Sequence, residues 1–135
     1  MQFVVAYVAA LLIFGTVDMA WLSIMGPALY RPMLGDILLQ NLRIAPALAF
    51  YAMFPVGIVF FAVAPALKVD SLATAAINGL LLGAIAYATY DLTNQATIRN
   101  WQTIITVADI CWGSVLSAVA ATVGFLLTRY FLRGA

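Results

Sequence analysis

The sequence predicts an all-α integral membrane protein, a bundle of four transmembrane helices joined by short loops. The chain has 135 residues, of which 66% are hydrophobic and only 8% are charged. Average soluble domains are roughly 45–50% apolar and about 25% charged. A soluble domain of this length has too much surface to hide so many apolar side chains, so we expect lipid to be the solvent. Four apolar stretches, each near the ~20 residues that cross a bilayer, set the number of helices.

The limits of those stretches predict where each helix lies within a single domain, residues 1–135. The first should end at Gly26-Pro27, because proline disrupts a helix interior. The connection over 26–43 has leucines and isoleucine at roughly helical spacing, so part of it should lie on the membrane interface. We predict helices at about 3–25, 44–66, 72–92 and 104–131.

Composition excludes several functional classes. A net charge of +1 gives no basic surface for nucleic acid. The absence of histidine removes the commonest metal ligand and general base, so we predict no metal site, and the sequence identifies no cofactor. No catalytic triad or phosphate-binding loop is present, which favours a non-enzymatic role. Cys111 is the single cysteine and lies in an apolar run, where a thiol usually packs.

Four crossings place both termini on one side of the membrane. Short loops rich in Lys and Arg tend to stay in the cytoplasm. The terminal side carries the N-terminal amine in addition to three basic side chains, against three on the other side, so we predict cytoplasmic termini. The basic residues are Lys68, Arg129 and Arg133 on the terminal side and Arg31, Arg43 and Arg99 on the other.

Three of the five acidic residues fall within or at the edge of apolar stretches: Asp18, Asp91 and Asp109. Buried charges in a membrane usually face the bundle interior and find partners. Counting ~1.5 Å per residue from the predicted helix ends places all three in the half of the membrane nearest the first and third loops. We therefore predict a polar cluster there.

Aromatic and amide side chains accompany these carboxylates. Trp21 follows Asp18, and Trp112 follows Asp109, each by three residues, which puts each pair on one helix face. The two Asp-x-x-Trp copies run in opposite directions, a hint of inverted repeats. The predicted ligand-binding or structural cluster comprises Asp18, Trp21, Tyr87, Asp91, Asn94, Asp109 and Trp112.

Small residues predict which helices pack together. Gly79 and Gly83 form a small-xxx-small ridge on the third helix, and Gly113 continues a similar ridge on the fourth. We expect these two helices to pack closely and the second helix, which has no charge in its span, to serve as a scaffold. A purely structural alternative has Arg31, Arg43 and Arg99 neutralise the three carboxylates.

Several runs of residues resemble the bacterial predicted-membrane-protein family called domain of unknown function 2177. They are Tyr90 to Thr97, Arg99-Asn100-Trp101, Asp109 to Gly113, Asp18 to Leu22 and Tyr30-Arg31-Pro32, and the resemblance covers essentially the whole chain. It implies a small bacterial inner-membrane protein of four helices with no established activity. It also points loosely to membrane-lipid physiology.

Three functions remain open at this point. The first is transport or binding of a small ligand, proton or lipid in the polar cluster. The second is a non-catalytic accessory subunit of a larger membrane complex, and the third is a component of membrane-lipid modification. We expect membrane lipids as partners, together with a homo-oligomer or a larger membrane complex.

Overall fold

The computed structural model describes residues 1–133, which form four long helices without a strand in that range. They are α1 (Gln2–Leu34), α2 (Ile44–Val69), α3 (Leu72–Thr97) and α4 (Thr103–Arg133). All four are long and apolar enough to cross a membrane. The predicted all-α membrane fold is therefore confirmed.

The first helix is longer than predicted, because Gly26-Pro27 does not end it. The chain continues through a π-helical turn, Gly26–Tyr30, into a last α-helical turn that ends at Leu34. Pro27 has no N–H to donate, and its ring would clash with a carbonyl one α-turn earlier. The wider π turn accommodates the proline, and the Arg31 N–H donates to the Gly26 carbonyl five residues back.

A second π-helical turn, Val59–Val63, interrupts α2. The Asn78 side-chain amide from α3 donates to the Phe61 carbonyl in this turn at 3.1 Å. The helix then runs on to Val69 rather than ending near residue 66. Asp70 ends it in the left-handed conformation, with φ of 48°.

The third helix also outlasts its apolar stretch, extending five residues past Leu92 to Thr97. Hydroxyl groups on its last turns donate to carbonyls one turn back: Thr93 to Thr89, and Thr97 to Thr93. The polar residues near the membrane surface therefore remain helical. A short turn, 98–102, reverses the chain into α4.

Helices α3 and α4 pack as an antiparallel hairpin with their backbones in close contact, as the glycine ridges predict. A Cβ atom on Gly83 would lie only 2.1 Å from the Gly113 carbonyl oxygen, and one on Gly79 would lie 2.7 Å from the Ser117 carbonyl oxygen. Gly113 in turn faces the ring of Tyr87. Ridges of residues four apart thus interlock along the whole hairpin.

The hydrophobic core lies where α1, α2 and α4 meet. Phe14 is fully buried and contacts the rings of Phe50, Tyr51 and Phe54 edge-on or tilted. Small residues on α1 let α4 approach: Gly124 faces Ala6 and Ala10. The outer faces of the helices expose large apolar side chains, as expected for contact with lipid.

The hairpin contact predicts that Gly83→Ala destabilises the fold by about 1–3 kcal/mol, since overpacking a tight contact has roughly that cost. The added methyl group would have to displace the Gly113 backbone. Gly15→Ala is the matched control, because no neighbouring atom lies within 4 Å of the position its Cβ would take. Both variants gain the same helix propensity. Denaturant unfolding in detergent measures the difference, and equal stability of the two variants would contradict the close approach.

Candidate functional site

Asp91 and Asp109 form a buried carboxyl pair between α3 and α4. The Asp91 side chain is fully buried, and its carboxyl lies within hydrogen-bonding reach of Asp109. Neither oxygen of Asp91 receives a hydrogen bond from an N–H or O–H group within residues 1–133. A buried polar group without a donor is costly, so this carboxyl needs a proton or a ligand.

The register of the hairpin explains why the pair forms. Gly83 lies against Gly113 and Ser117, and Tyr87 lies against Gly113. The next residue along the α3 ridge is Asp91, and the next residue along the α4 ridge towards the turn is Asp109. Because residues four apart share a helix face, the glycine contacts carry the two carboxyl groups into contact.

Asp18 forms a second, separate centre on α1. It is 5% exposed, and its two oxygens each accept a hydrogen bond. The Trp112 indole donates to Oδ1 at 2.9 Å, and the Tyr51 hydroxyl donates to Oδ2. Each oxygen thus has one donor, Tyr51 from α2 and Trp112 from α4.

Asp18 lies about one helical turn further from the start of α4 than Asp109 does. Its carboxylate accepts from Trp112, which follows Asp109 by three residues. With α1 running on to Leu34, Asp18 is the middle residue of a 33-residue span, so more of α1 follows it than the predicted helix end allows. Asp18 and the Asp91–Asp109 pair therefore lie at neighbouring levels of the bundle.

Two tryptophans and a tyrosine connect these levels. Trp21 and Trp112 stack with centroids 4.1 Å apart and planes inclined by 8°. The Trp21 indole donates to the Tyr30 hydroxyl at 3.0 Å, and that hydroxyl donates to Asp109. The tryptophans of the two Asp-x-x-Trp motifs thus stack face to face. Trp112 of α4 donates directly to Asp18 of α1, and Trp21 of α1 is linked to Asp109 of α4 through Tyr30.

The π-helical turn of α1 places Tyr30 at this site. Trp21 and Tyr30 are nine residues apart, which is about two and a half α-helical turns and would put them on opposite sides of α1. The wider turn at Gly26–Tyr30 reduces that rotation. Tyr30 can then reach both the Trp21 indole and Asp109.

Tyr87 lies between the two centres. Its ring packs on Gly113 and meets Phe54 edge-on at 6.2 Å. Its hydroxyl is close enough to Asp18, Tyr51, Asp109 and Tyr30 to interact electrostatically with each. Tyr87 therefore lies near groups of both centres.

Aromatic side chains also lie beside the turn between α3 and α4. Trp101 donates to the Thr106 hydroxyl at 3.0 Å and meets Tyr90 edge-on at 5.8 Å. Asn94, predicted to join the cluster, lies beside the Tyr90 hydroxyl on its own helix. Neighbouring Gln95 donates to Thr103 across the turn.

The arginines do not neutralise the cluster. Arg31, Arg43 and Arg99 are exposed, and in the described part of the chain none of them forms an ion pair with an aspartate. Cys111 is exposed. No three His, Cys, Asp or Glu residues within 1–133 are grouped to hold a metal ion.

Sequence reasoning missed two residues of the site, Tyr30 and Tyr51. Tyr30 was placed in a loop because Pro27 was expected to end the helix. Tyr51 was passed over because α2 has no charge in its span, and α2 contributes to the site rather than only supporting it. A hydroxyl within an otherwise apolar span was the available signal, since a buried tyrosine O–H usually finds a partner.

The Asp18 centre predicts that Tyr51→Phe destabilises the protein by about 1.5–3 kcal/mol, the usual range for a hydrogen bond to a charged group. Tyr130→Phe is the control, because Tyr130 is 73% exposed on α4. Denaturant unfolding in detergent, followed by tryptophan fluorescence, compares the two. Equal free energies of unfolding for Tyr51→Phe and Tyr130→Phe would contradict the hydrogen bond to Asp18.

Comparison with known proteins agrees with a membrane protein. The family model described as Predicted membrane protein (DUF2177) matches residues 3–126. Neither the curated proteins nor the solved structures give a significant match. The matched range includes most of each of the four helices and every residue of the two carboxylate centres, and the chain therefore belongs to the DUF2177 family of predicted membrane proteins.

Proposed function

We propose that this protein translocates protons, with Asp91 and Asp109 binding a transferable proton inside the membrane. The observation that supports the proposal is the fully buried Asp91 carboxyl, which has no hydrogen-bond donor and faces Asp109. Two ionised carboxylates in contact repel strongly in an apolar interior. A single proton shared between them removes the repulsion and gives each group a partner, as in other paired-carboxyl sites.

The arrangement of hydroxyl groups supports a route from the pair towards the middle of the bundle. Tyr30 is hydrogen-bonded to Asp109, and the Tyr87 hydroxyl lies near both Asp109 and Asp18. A tyrosine hydroxyl can donate its own proton to one neighbour while it accepts another from the opposite side. On this proposal protons pass between the two centres through these hydroxyls, and each hydroxyl keeps one proton and rotates before it passes the next.

The packing favours a proton over a larger ligand. Asp18 is already held by Trp112 and Tyr51, and Trp21 lies flat against Trp112. A larger solute or a lipid headgroup at this level would have to separate the stacked indoles. A proton adds no volume and uses the donors and acceptors that are already in contact.

The shared proton predicts a signal in infrared spectra of the reconstituted protein at neutral pH. The wild type should show the C=O stretching band of a protonated carboxyl group, and Asp91→Asn should lose it because the pair no longer exists. Asp36→Asn, at an exposed position between α1 and α2, is the matched control and should keep the band. A wild-type spectrum without the band, or an unchanged band in Asp91→Asn, would refute the shared proton.

Translocation predicts proton entry into liposomes that contain the protein. A potassium gradient with valinomycin supplies the driving potential, and a trapped pH dye reports the internal pH. Wild-type protein and Asp36→Asn should acidify the lumen at the same rate, and Asp109→Asn should reduce that rate to the level of protein-free vesicles. Folding of each variant is checked by its tryptophan emission, which reports the Trp21–Trp112 stack. Equal rates for wild type and Asp109→Asn would overturn the proposal.

A further inference from the structure

The membrane face formed by the first and third connections carries cations that the protein does not neutralise. Arg31 is in the last turn of α1, Arg43 precedes α2, and Arg99 is in the turn between α3 and α4. All three side chains are exposed. None forms an ion pair with an acidic residue in the described part of the chain, where these two connections include a single carboxylate, Asp36.

The opposite face is different. There Arg129 from α4 contacts Asp70, at the end of α2, at 2.9 Å. The Arg129 guanidinium also lies over the ring of Phe125, 5.8 Å from its centroid. The protein thus supplies a counter-charge for Arg129 at that face, whereas within the described residues it supplies none for the three guanidinium groups at the other.

The first connection adds apolar side chains to the cationic face. Leu38, Leu39 and Leu42 are exposed, Leu42 to 81% of its surface, and they lie between Arg31 and Arg43 in the chain. Apolar side chains next to basic ones are typical of segments that lie at the boundary between headgroups and acyl chains. A small water-soluble anion bound to the arginines would leave these leucines in water.

We infer that this face binds anionic phospholipids, with Arg31, Arg43 and Arg99 contacting the headgroup phosphates. Guanidinium groups bind phosphate oxygens through paired hydrogen bonds, which suits the exposed arginines. The leucines of the first connection then contact the upper acyl chains of the same lipids. This site is independent of the proton route, because it uses no residue of either carboxylate centre.

The test measures lipid binding to the purified, detergent-solubilised protein by native mass spectrometry. Phosphatidylglycerol and phosphatidylcholine with identical acyl chains are the two probes. The wild type should retain phosphatidylglycerol in preference to phosphatidylcholine, and the preference should fall as salt is added. Each of Arg43→Gln and Arg99→Gln should weaken phosphatidylglycerol binding about fivefold, as expected when one basic side chain near an anionic surface is lost.

Lys68→Gln is the matched control, since Lys68 lies on the opposite face, and it should leave the preference unchanged. Equal binding of the two lipids by the wild type would overturn the inference. So would a loss in Lys68→Gln as large as that in Arg43→Gln. Glycerol phosphate, which has the charge but no acyl chain, should fail to displace the bound lipid, and displacement by it would show an anion site that does not select lipid.

Discussion

The close approach of α3 and α4 is the constraint on which the rest of this structure depends. Gly83 and Gly113 bring the two backbones into direct contact, and no side chain larger than a hydrogen atom fits between them. This contact determines which residue of α3 lies opposite each residue of α4. With the register fixed, Tyr87 occupies the space that Gly113 leaves, and Asp91 has to meet Asp109. Helix packing inside lipid relies on such close contacts, because the apolar surface of a helix gains little by leaving lipid tails.

The hydrogen bond between Tyr30 and Asp109 depends on a different feature, the π-helical turn in α1. Without it, Tyr30 would lie on the far side of the helix from Trp21, and Asp109 would lose its tyrosine partner. The stacked indoles of Trp21 and Trp112 then hold α1 against α4 at the level of Asp18. In this geometry each oxygen of Asp18 has a hydrogen-bond donor already in place.

Much of the architecture could be predicted because lipid imposes simple rules on composition and length. The four apolar stretches, the glycine ridges of α3 and α4, and the presence of Asp18, Asp91 and Asp109 in the bundle follow from those rules. The helix ends could not be predicted, because the length of an apolar stretch reports the part of a helix that lies in the bilayer and not the whole helix. The third helix, α3, continues through polar residues to Thr97. Pro27 misled the prediction for α1, since the choice between a helix end and a π turn is made by tertiary contacts such as Tyr30 with Asp109.

The hairpin geometry bears on how the chain enters the bilayer during its synthesis. An aspartate within a transmembrane helix raises the cost of insertion, by about 2.5–3.5 kcal/mol at the helix centre and by less towards its ends. Asp91 and Asp109 lie at matching distances from the turn at 98–102, so α3 and α4 entering together as a hairpin would bring the two groups into contact on arrival. The membrane would then receive one carboxyl pair with a single negative charge, in place of two separate anions. A chain that inserted α3 alone would bear the full cost of Asp91 until α4 followed.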